Sequence, residues 1–405
     1  MLATLENGVR GGKWHSLIDK VYAKETLVAA YRQVAANEGA AGVDHVTIDA
    51  FGGRLDENLE HLHRTLKDES YRPQAIRRVH IPKPGSREKR PLGIPTVRDR
   101  VAQTALKQVL EPIFERDFAE QSYGFRPGRS CKNALRRVDE LLKAGYSYIV
   151  DADLKSYFDT IQHDRLMALI REKVSDRRIL ALVERYLKQG VMEDQGVYEP
   201  EEGSPQGAPI SPLLSNVYLD GLDHLMAESG FEMVRYADDF VVLCRSRAEA
   251  EEALAVVREW VAEAGLQLHP EKTCIRTQRA GFDFLGYHFK AGKRRPREKS
   301  LGKLKDTIRT KTRRNNGNSL NYIITDVNRT LIGWYAYYKH SHRYTFRDLD
   351  KWIRRRLRTI LRHREHRKGL GLGFDNQRWP NAFFACNGLF SLMTAYERDR
   401  QSSTR

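Results

Sequence analysis

The stretch "RYADDFVVL", residues 235–243, sets Asp238 and Asp239 side by side in an otherwise apolar run. Val234, Tyr236, Phe240, Val241, Val242 and Leu243 are residues that a chain normally buries in a sheet. Two adjacent carboxylates at such a place repel each other and lose hydration. A turn at Tyr-Ala-Asp-Asp would lift both to the tip of a hairpin of buried strands. A second acidic strand lies upstream. "YIVDADL" (148–154) alternates, with Tyr148, Val150, Ala152 and Leu154 on one face and Ile149, Asp151 and Asp153 on the other. Asp153 is the natural third carboxylate, although spacing alone does not choose it over Asp151.

Three carboxylates at one point are stable only if cations neutralise them. Mg²⁺ takes oxygen ligands, keeps several waters and works with substrate phosphates. Two such ions roughly 3.5–4 Å apart activate a hydroxyl and stabilise a leaving phosphate group. An Asp-Asp pair alone is also ordinary turn composition, so the neighbouring sequence has to decide.

The chain has 405 residues, which predicts two or three packed units. A hydrophobic content of 40% supports globular cores, and 30% charged residues with a mean hydropathy of −0.60 argue against a membrane protein. The first residues lack the apolar run of a secretory signal. Cys131, Cys244, Cys274 and Cys386 lie far apart with no CxxC pair, which suits a reducing cytoplasm and gives no zinc framework. The net charge of +16 is confined to one end. Residues 291–405 hold 28 Lys and Arg against 9 Asp and Glu, leaving 41 against 44 in the rest. Such asymmetry is the footprint of a polyanion-binding module beside a nearly neutral one.

Along the chain, residues 16–37 read as helical, and 71–95 as a basic hairpin around a Pro/Gly/Lys/Arg loop. Residues 99–117 read as an amphipathic helix. After the 148–154 strand come helical sequence over about 163–190, a loop and helix from 201, the strands around Asp238, a helix over 248–264 and a short strand. The order β-α-ββ-α-β is that of a ferredoxin-like sheet. Beyond a basic, Pro/Gly-punctuated stretch at 291–302, Ile324, Val327, Leu331, Trp334 and Tyr338, then Leu349, Ile353, Leu357 and Ile360, predict a helical bundle with one apolar and one basic side.

Six blocks stand in the order found in reverse transcriptases: "IPKPGSREKRPLGIPT" (81–96), "SYGFRPGRS" (122–130), "YIVDADLKSYFDTI" (148–161), "GSPQGAPISPLLSN" (203–216), "RYADDFVVL" and "GFDFLGYHF" (281–289). The chain most resembles the reverse transcriptase/maturases encoded by bacterial group II introns. "GVDHVTIDAF" (42–51) is similar to their N-terminal finger extension, and "LIGWYAYYKHSHRYTFRDLDKWIRRRLR" (331–358) to their thumb or maturase region.

The resemblance implies an α+β right-hand polymerase with fingers, a ferredoxin-like palm and an α-helical thumb. It divides the chain into an N-terminal finger extension (1–70), fingers (71–145), palm (146–290, with a helical segment at 160–200), linker (291–302), thumb/maturase domain (303–370) and a C-terminal tail (371–405) packing on the thumb. It selects Asp153, because Phe158 and Asp159 follow at the family spacing. Asp153, the carbonyl of Leu154 and Asp238 would bind two Mg²⁺ ions, and Asp239 would complete the acidic cluster. Phe158 would lie under the sugar and exclude a 2′-hydroxyl. Gln206 and Gly207 would meet the incoming nucleotide, Lys83 and Arg90 its triphosphate, and Lys272 the leaving pyrophosphate as a possible general acid. Ala208 stands where the family often has a second glycine.

In the basic bundle, Arg354, Arg355, Arg356, Arg358, Arg362 and Arg364 form the densest charge run, and arginine forks bind phosphates and stack on bases. These six are the expected RNA contacts. The implied activity is RNA-directed DNA polymerisation together with binding of an intron RNA to assist its splicing and mobility. The implied partners are template or intron RNA, a DNA primer or target and deoxynucleotides, with no membrane, at a bacterial nucleoid in the cytoplasm, as monomer or homodimer. About 35 residues with no histidine follow the bundle, so no HNH endonuclease is expected. The same motifs would serve a host-adopted reverse transcriptase in phage defence or repair. An RNA polymerase is disfavoured by Phe158, and a purely RNA-binding splicing factor by the intact carboxylates.

Overall fold

The computed structural model describes residues 12–82, 89–193 and 196–402. The chain divides into two compact units, Met1–Arg276 and Thr277–Arg405.

The first unit is built on a four-stranded sheet of β3 (Tyr148–Asp153), β6 (Glu232–Tyr236), β7 (Asp239–Cys244) and β8 (Cys274–Thr277), in the spatial order β6-β7-β3-β8. By chain rank this reads second, third, first, fourth, the ferredoxin-like order. Helix Ser211–Glu228 precedes β6, and helix Arg247–Glu263 joins β7 to β8. The latter starts in a capping box: Ser246 Oγ accepts from Glu249 N at 3.1 Å, and the Glu249 carboxylate accepts from Arg245 N at 2.8 Å. Helix Val97–Glu115 runs through the core, with Val101, Ala105, Leu106 and Val109 fully buried.

A second sheet in this unit is ordered β2-β1-β4-β5. β1 (Ile76–Pro82) and β2 (Lys89–Ile94) form the basic hairpin, with Ile81 opposite Arg90. β4 (Val191–Glu193) and β5 (Gly196–Tyr198) form a short hairpin where the sequence predicts helix running towards residue 200. The helices there are His163–Lys173 and Arg177–Leu187, and Ile76 N reaches Gly190 O at 2.7 Å to start the parallel pairing of β1 with β4.

The second unit begins earlier than residue 303. β9 (Phe282–Phe284), β10 (Tyr287–Lys290) and β11 (Lys293–Pro296) form an antiparallel sheet that packs with helices Glu298–Lys311, Leu320–Tyr338 and Arg343–Arg364. Tyr287 Oη donates to Tyr337 O (2.6 Å), Tyr337 Oη to Leu285 O (2.7 Å) and His342 N to Arg294 O (2.9 Å). Residues 291–302 are therefore strand and helix rather than a linker, and "GFDFLGYHF" sits with the helices rather than in the ferredoxin-like sheet. Its buried aromatics, Phe282, Phe284, Tyr287 and Phe289, explain the difference. Phe282 stacks on Phe289 and Tyr287 on Tyr337, with Tyr338 tilted against Tyr287. In the tail, Trp379, Phe384 and Leu392 join the core formed by Leu331, Phe346, Ile353 and Leu357. Asp350, almost fully buried on helix Arg343–Arg364, accepts from Ser391 Oγ, Leu392 N and Met393 N and so caps tail helix Leu392–Ser402.

Candidate catalytic site

β3 ends at Asp153, which stands directly opposite Asp239 in the β3–β7 ladder. Tyr236 faces Asp239 across the β6–β7 hairpin, so Ala237 and Asp238 form a two-residue turn. Ala237 takes a left-handed φ of 60°, an arrangement that a non-glycine residue holds only when its surroundings impose it. Gly124 is one such constraint. A Cβ there would come within 2.3 Å of Ala237 N, so "SYGFRPGRS" supplies a surface without a side chain against which the turn lies.

Arg235 is the other. Its side chain is completely buried, as is that of Asp223 on helix Ser211–Glu228. Nε donates to both Asp223 oxygens (2.7 and 3.0 Å) and Nη2 pairs with the same carboxylate. Nη2 also donates to Ser122 Oγ (2.9 Å), and Nη1 to Asn216 Oδ1 (3.0 Å) and Ala237 O (2.9 Å). Asn216 in turn donates to Gly124 O at 2.8 Å. One guanidinium thus joins the 122–130 block, the "SPLLSN" helix and the carbonyl of the turn residue before Asp238. Neither Arg235, Asp223, Asn216 nor Gly124 was anticipated as part of the site. The available signal was a charged residue at an inward strand position together with an aspartate on the buried stripe of Leu219, Leu222 and Met226.

The Asp238 carboxyl is pushed above the ordinary aspartate value chiefly by burial; a hydrogen bond from its own backbone amide opposes this, the negative charge of Asp153 adds to it, and Arg90 and Arg235 pull it back. Asp153 and Asp238 are therefore neighbours, and Arg90 on β2 is close enough to act on Asp238. Lys272 Nζ lies 2.7 Å from Asp153 Oδ2. Lys83 lies outside the described residues.

No group of three His, Cys, Asp or Glu side chains among the described residues lies close enough to hold a metal. The acidic cluster is looser than three converging carboxylates, because Lys272 engages Asp153 and Asp239 is exposed in the ladder. What remains is a set of hard oxygens: Asp153, Asp238 and the carbonyl of Leu154. The bridge to Leu268 is closed by Asp153 O, which accepts from His269 N, and by Lys155 N, which leaves that carbonyl out of it. An oxygen set short of a full cage suits Mg²⁺, which keeps waters and takes phosphate oxygens.

Beside the ladder, a cavity of about 360 Å³ is lined by Phe158, Gly93, Gly203, Pro205 and Gln206. Ser204 N donates to Phe158 O (2.7 Å) and Gly93 N to Gln206 O (2.6 Å), fastening the "GSPQG" loop between Phe158 and the finger hairpin. Gly207 has φ +106°, and a Cβ there would meet Gly93 O at 2.5 Å. Its close backbone contact within the protein is thus with β2.

Residues 81–289 match the family described as Reverse transcriptase (RNA-dependent DNA polymerase). The chain belongs to this family. Residues 301–379 of the same reverse transcriptase match the group II intron, maturase-specific domain. Protein YkfC of Escherichia coli (strain K12) is 36% identical over 305 residues, 65% of this chain and 80% of that protein. Group II intron-encoded protein LtrA of Lactococcus lactis subsp. cremoris is 38% identical over 201 residues, 49% of this chain and 33% of LtrA. Nuclear intron maturase 2 of Arabidopsis thaliana is 26% identical over 337 residues, 70% of this chain and 44% of that protein. The chain thus spans most of YkfC but about a third of LtrA. RNA-directed DNA polymerisation and a part in group II intron splicing and mobility go with this membership. No helix of the described residues is long and apolar enough to cross a membrane.

The arginine run of this reverse transcriptase does not form one open surface. Arg358 is buried, with Nε on Trp379 O (2.9 Å) and Nη2 on Asn381 Oδ1 (3.0 Å). Arg362 pairs with the fully buried Asp375 at 2.8 Å, and Arg356 donates to Thr312 Oγ1 (2.6 Å) and Thr312 O (2.9 Å). Arg364 is exposed but donates to Asn316 O and Asn318 O. Arg354 is half-buried, 3.9 Å from Asp350. Of the six expected RNA contacts, Arg356, Arg358 and Arg362 hold the fold together: Arg358 and Arg362 meet the segment after the helix, and Arg356 meets the end of helix Glu298–Lys311. Arg355 stays exposed.

Proposed function

We propose that this reverse transcriptase copies RNA into DNA by two-metal nucleotidyl transfer at Asp153 and Asp238, and that its basic helical unit binds the group II intron RNA that it helps to splice. The observation that carries the reading is the register of the ladder: Asp153 opposite Asp239, with Asp238 in the adjoining turn and its carboxyl raised by burial and by Asp153. Bound Mg²⁺ supplies activation of the primer 3′-hydroxyl and charge neutralisation at the leaving pyrophosphate. Asp153, Asp238 and Leu154 O would hold the ions. Arg90, with Lys83, receives the triphosphate. Phe158 and Gln206 bound the nucleotide site, and Lys272, at Asp153, is the candidate general acid for the leaving pyrophosphate. The partners are template and intron RNA, a DNA primer or target and deoxynucleotides.

Phe158 packs edge-on against Tyr157, with ring centroids 5.3 Å apart, and Tyr157 is anchored by its hydroxyl on Ser215 O at 2.9 Å. The ring therefore has a fixed support from which to exclude a 2′-hydroxyl. Phe158→Ala is expected to lower discrimination against ribonucleotides by roughly 10- to 100-fold in single-nucleotide incorporation, the range that one shape contact provides. Unchanged discrimination would remove Phe158 from this role.

The test of the whole reading is RNA-templated primer extension combined with sequencing of the RNA that co-purifies from the native cell. Extension together with one long structured RNA containing this reading frame supports it. Extension with a diffuse or separate small transcript would assign the enzyme to the host instead, and no extension would defeat the polymerase assignment.

A further inference from the structure

In the second unit, helix Arg343–Arg364 and the tail enclose a concavity of about 680 Å³ that the polymerase chemistry does not use. Its cationic wall is Lys351, Arg354, Arg355 and Arg358, and its apolar wall is Trp352, Leu372 and Pro380. Asp348 is the one acidic residue in the lining, and it sits 3.3 Å from Arg347. Arg358 is committed to the fold by Trp379 O and Asn381. Asp350, the nearest carboxylate to Arg354, is occupied in capping the tail helix.

Four cations crowded into one hollow repel one another. Burial first, and then Arg354, hold the Arg358 guanidinium below its ordinary value, and burial followed by Arg309, Arg314 and Arg355 does the same to neighbouring Arg356. An anion relieves that repulsion, and the exposed Lys351 and Arg355 leave the cationic wall open to solvent.

The apolar wall narrows the choice. Leu372 is 50% exposed, and the backbone beside it is fixed. Gly371 N donates to Thr359 Oγ1 at 3.0 Å, and a Cβ on Gly371 would meet Arg358 Cβ at 2.5 Å. An exposed leucine and a half-buried tryptophan beside cations and the amides of Asn376 and Asn381 suit a flat, heteroatom-edged ring joined to a phosphate. A paired duplex offers the phosphate without a free ring face. We infer that this concavity binds an unpaired nucleotide extruded from an RNA, with its base against Leu372 and Trp352 and its phosphate on Lys351 and Arg355. The inference rests on the reading that this unit binds intron RNA.

The test uses the full chain and an RNA hairpin carrying a single bulged 2-aminopurine, compared with the same hairpin fully paired and with its DNA counterpart. Wild type should prefer the bulged RNA and quench the 2-aminopurine. Arg355→Ala should weaken binding of the bulged hairpin about tenfold and make the salt dependence shallower by about one phosphate contact. Leu372→Asp, on an exposed loop, should abolish quenching and the preference for the bulge while melting like wild type. Equal binding of bulged and paired RNA, equal or tighter binding of bulged DNA, or variants that behave like wild type would overturn the pocket. Binding to the intron RNA itself is measured alongside. Wild type that shows no preference for it over unrelated RNA defeats the maturase reading and this inference together, whereas wild type and variants that bind it and the bulge alike defeat the pocket alone.

Discussion

Arg235→Met is expected to lose about 3–5 kcal/mol of stability in urea unfolding, because it strands the buried Asp223 carboxylate without a counter-charge. The loss extends beyond the ion pair. Ser122 Oγ, Asn216 Oδ1 and Ala237 O each give up a donor in the interior. The double variant Arg235→Met/Asp223→Leu separates two consequences. Replacing both charges by apolar side chains removes the uncompensated carboxylate, so much of the stability should return. Ala237 O still has no donor, so the turn that carries Asp238 is no longer held and primer extension should stay depressed, in turnover more than in substrate affinity. A double variant that recovers turnover along with stability would make Arg235 a structural residue only. A single variant with a wild-type urea midpoint would dismiss the network altogether.

Asp238→Asn should reduce primer extension by about a thousandfold or more, since a metal ligand commonly contributes several kcal/mol to such a transition state. Its stability should move the other way. Burial and Asp153 raise the Asp238 carboxyl above its ordinary value, so its ionised form is disfavoured in the fold relative to the unfolded chain. At neutral pH and in chelator, the asparagine variant should therefore melt at or above the wild-type temperature. As pH falls from the raised folded value towards the ordinary aspartate value, the folded wild-type carboxyl becomes protonated and that advantage disappears. Added Mg²⁺ should raise the melting temperature of wild type more than that of the variant. An inactive variant that is also less stable in chelator at neutral pH would mean that Asp238 supports the fold rather than the chemistry.

The ferredoxin-like order was legible because short apolar runs at β3, β6 and β7 are separated by helical stretches, of which Arg247–Glu263 carries one buried stripe of Leu254, Val257 and Val261. The meeting of the two acidic strands was legible because carboxylates among buried aliphatics need a reason, although spacing left Asp151 open beside Asp153 and the family pattern made the choice. The β4–β5 hairpin was not, since each strand is three residues long and its Val197 and Tyr198 are largely exposed, so no buried face left a pattern. The arginine run misled for a related cause. Helical spacing identifies Leu349, Ile353, Leu357 and Ile360 as inward, but only the tail, folding back with Trp379 and Phe384, turns the flank bearing Arg358 inward as well. Sequence periodicity records what a helix does against one neighbour and not against a second one that arrives from 20 residues downstream.

The three-stranded sheet at Phe282–Pro296 has a consequence for recombination. Anyone exchanging maturase modules between related enzymes would be drawn to cut in the basic stretch at 291–302, which reads as a spacer. That cut would separate Tyr287 from Tyr337 and Arg294 from the amide of His342. The donor helices would arrive without the sheet that completes their hydrogen bonds, and four buried aromatic rings would be left behind. A junction near Arg276 keeps the inherited piece whole, so hybrids joined there should express as soluble proteins where those joined at 291–302 aggregate.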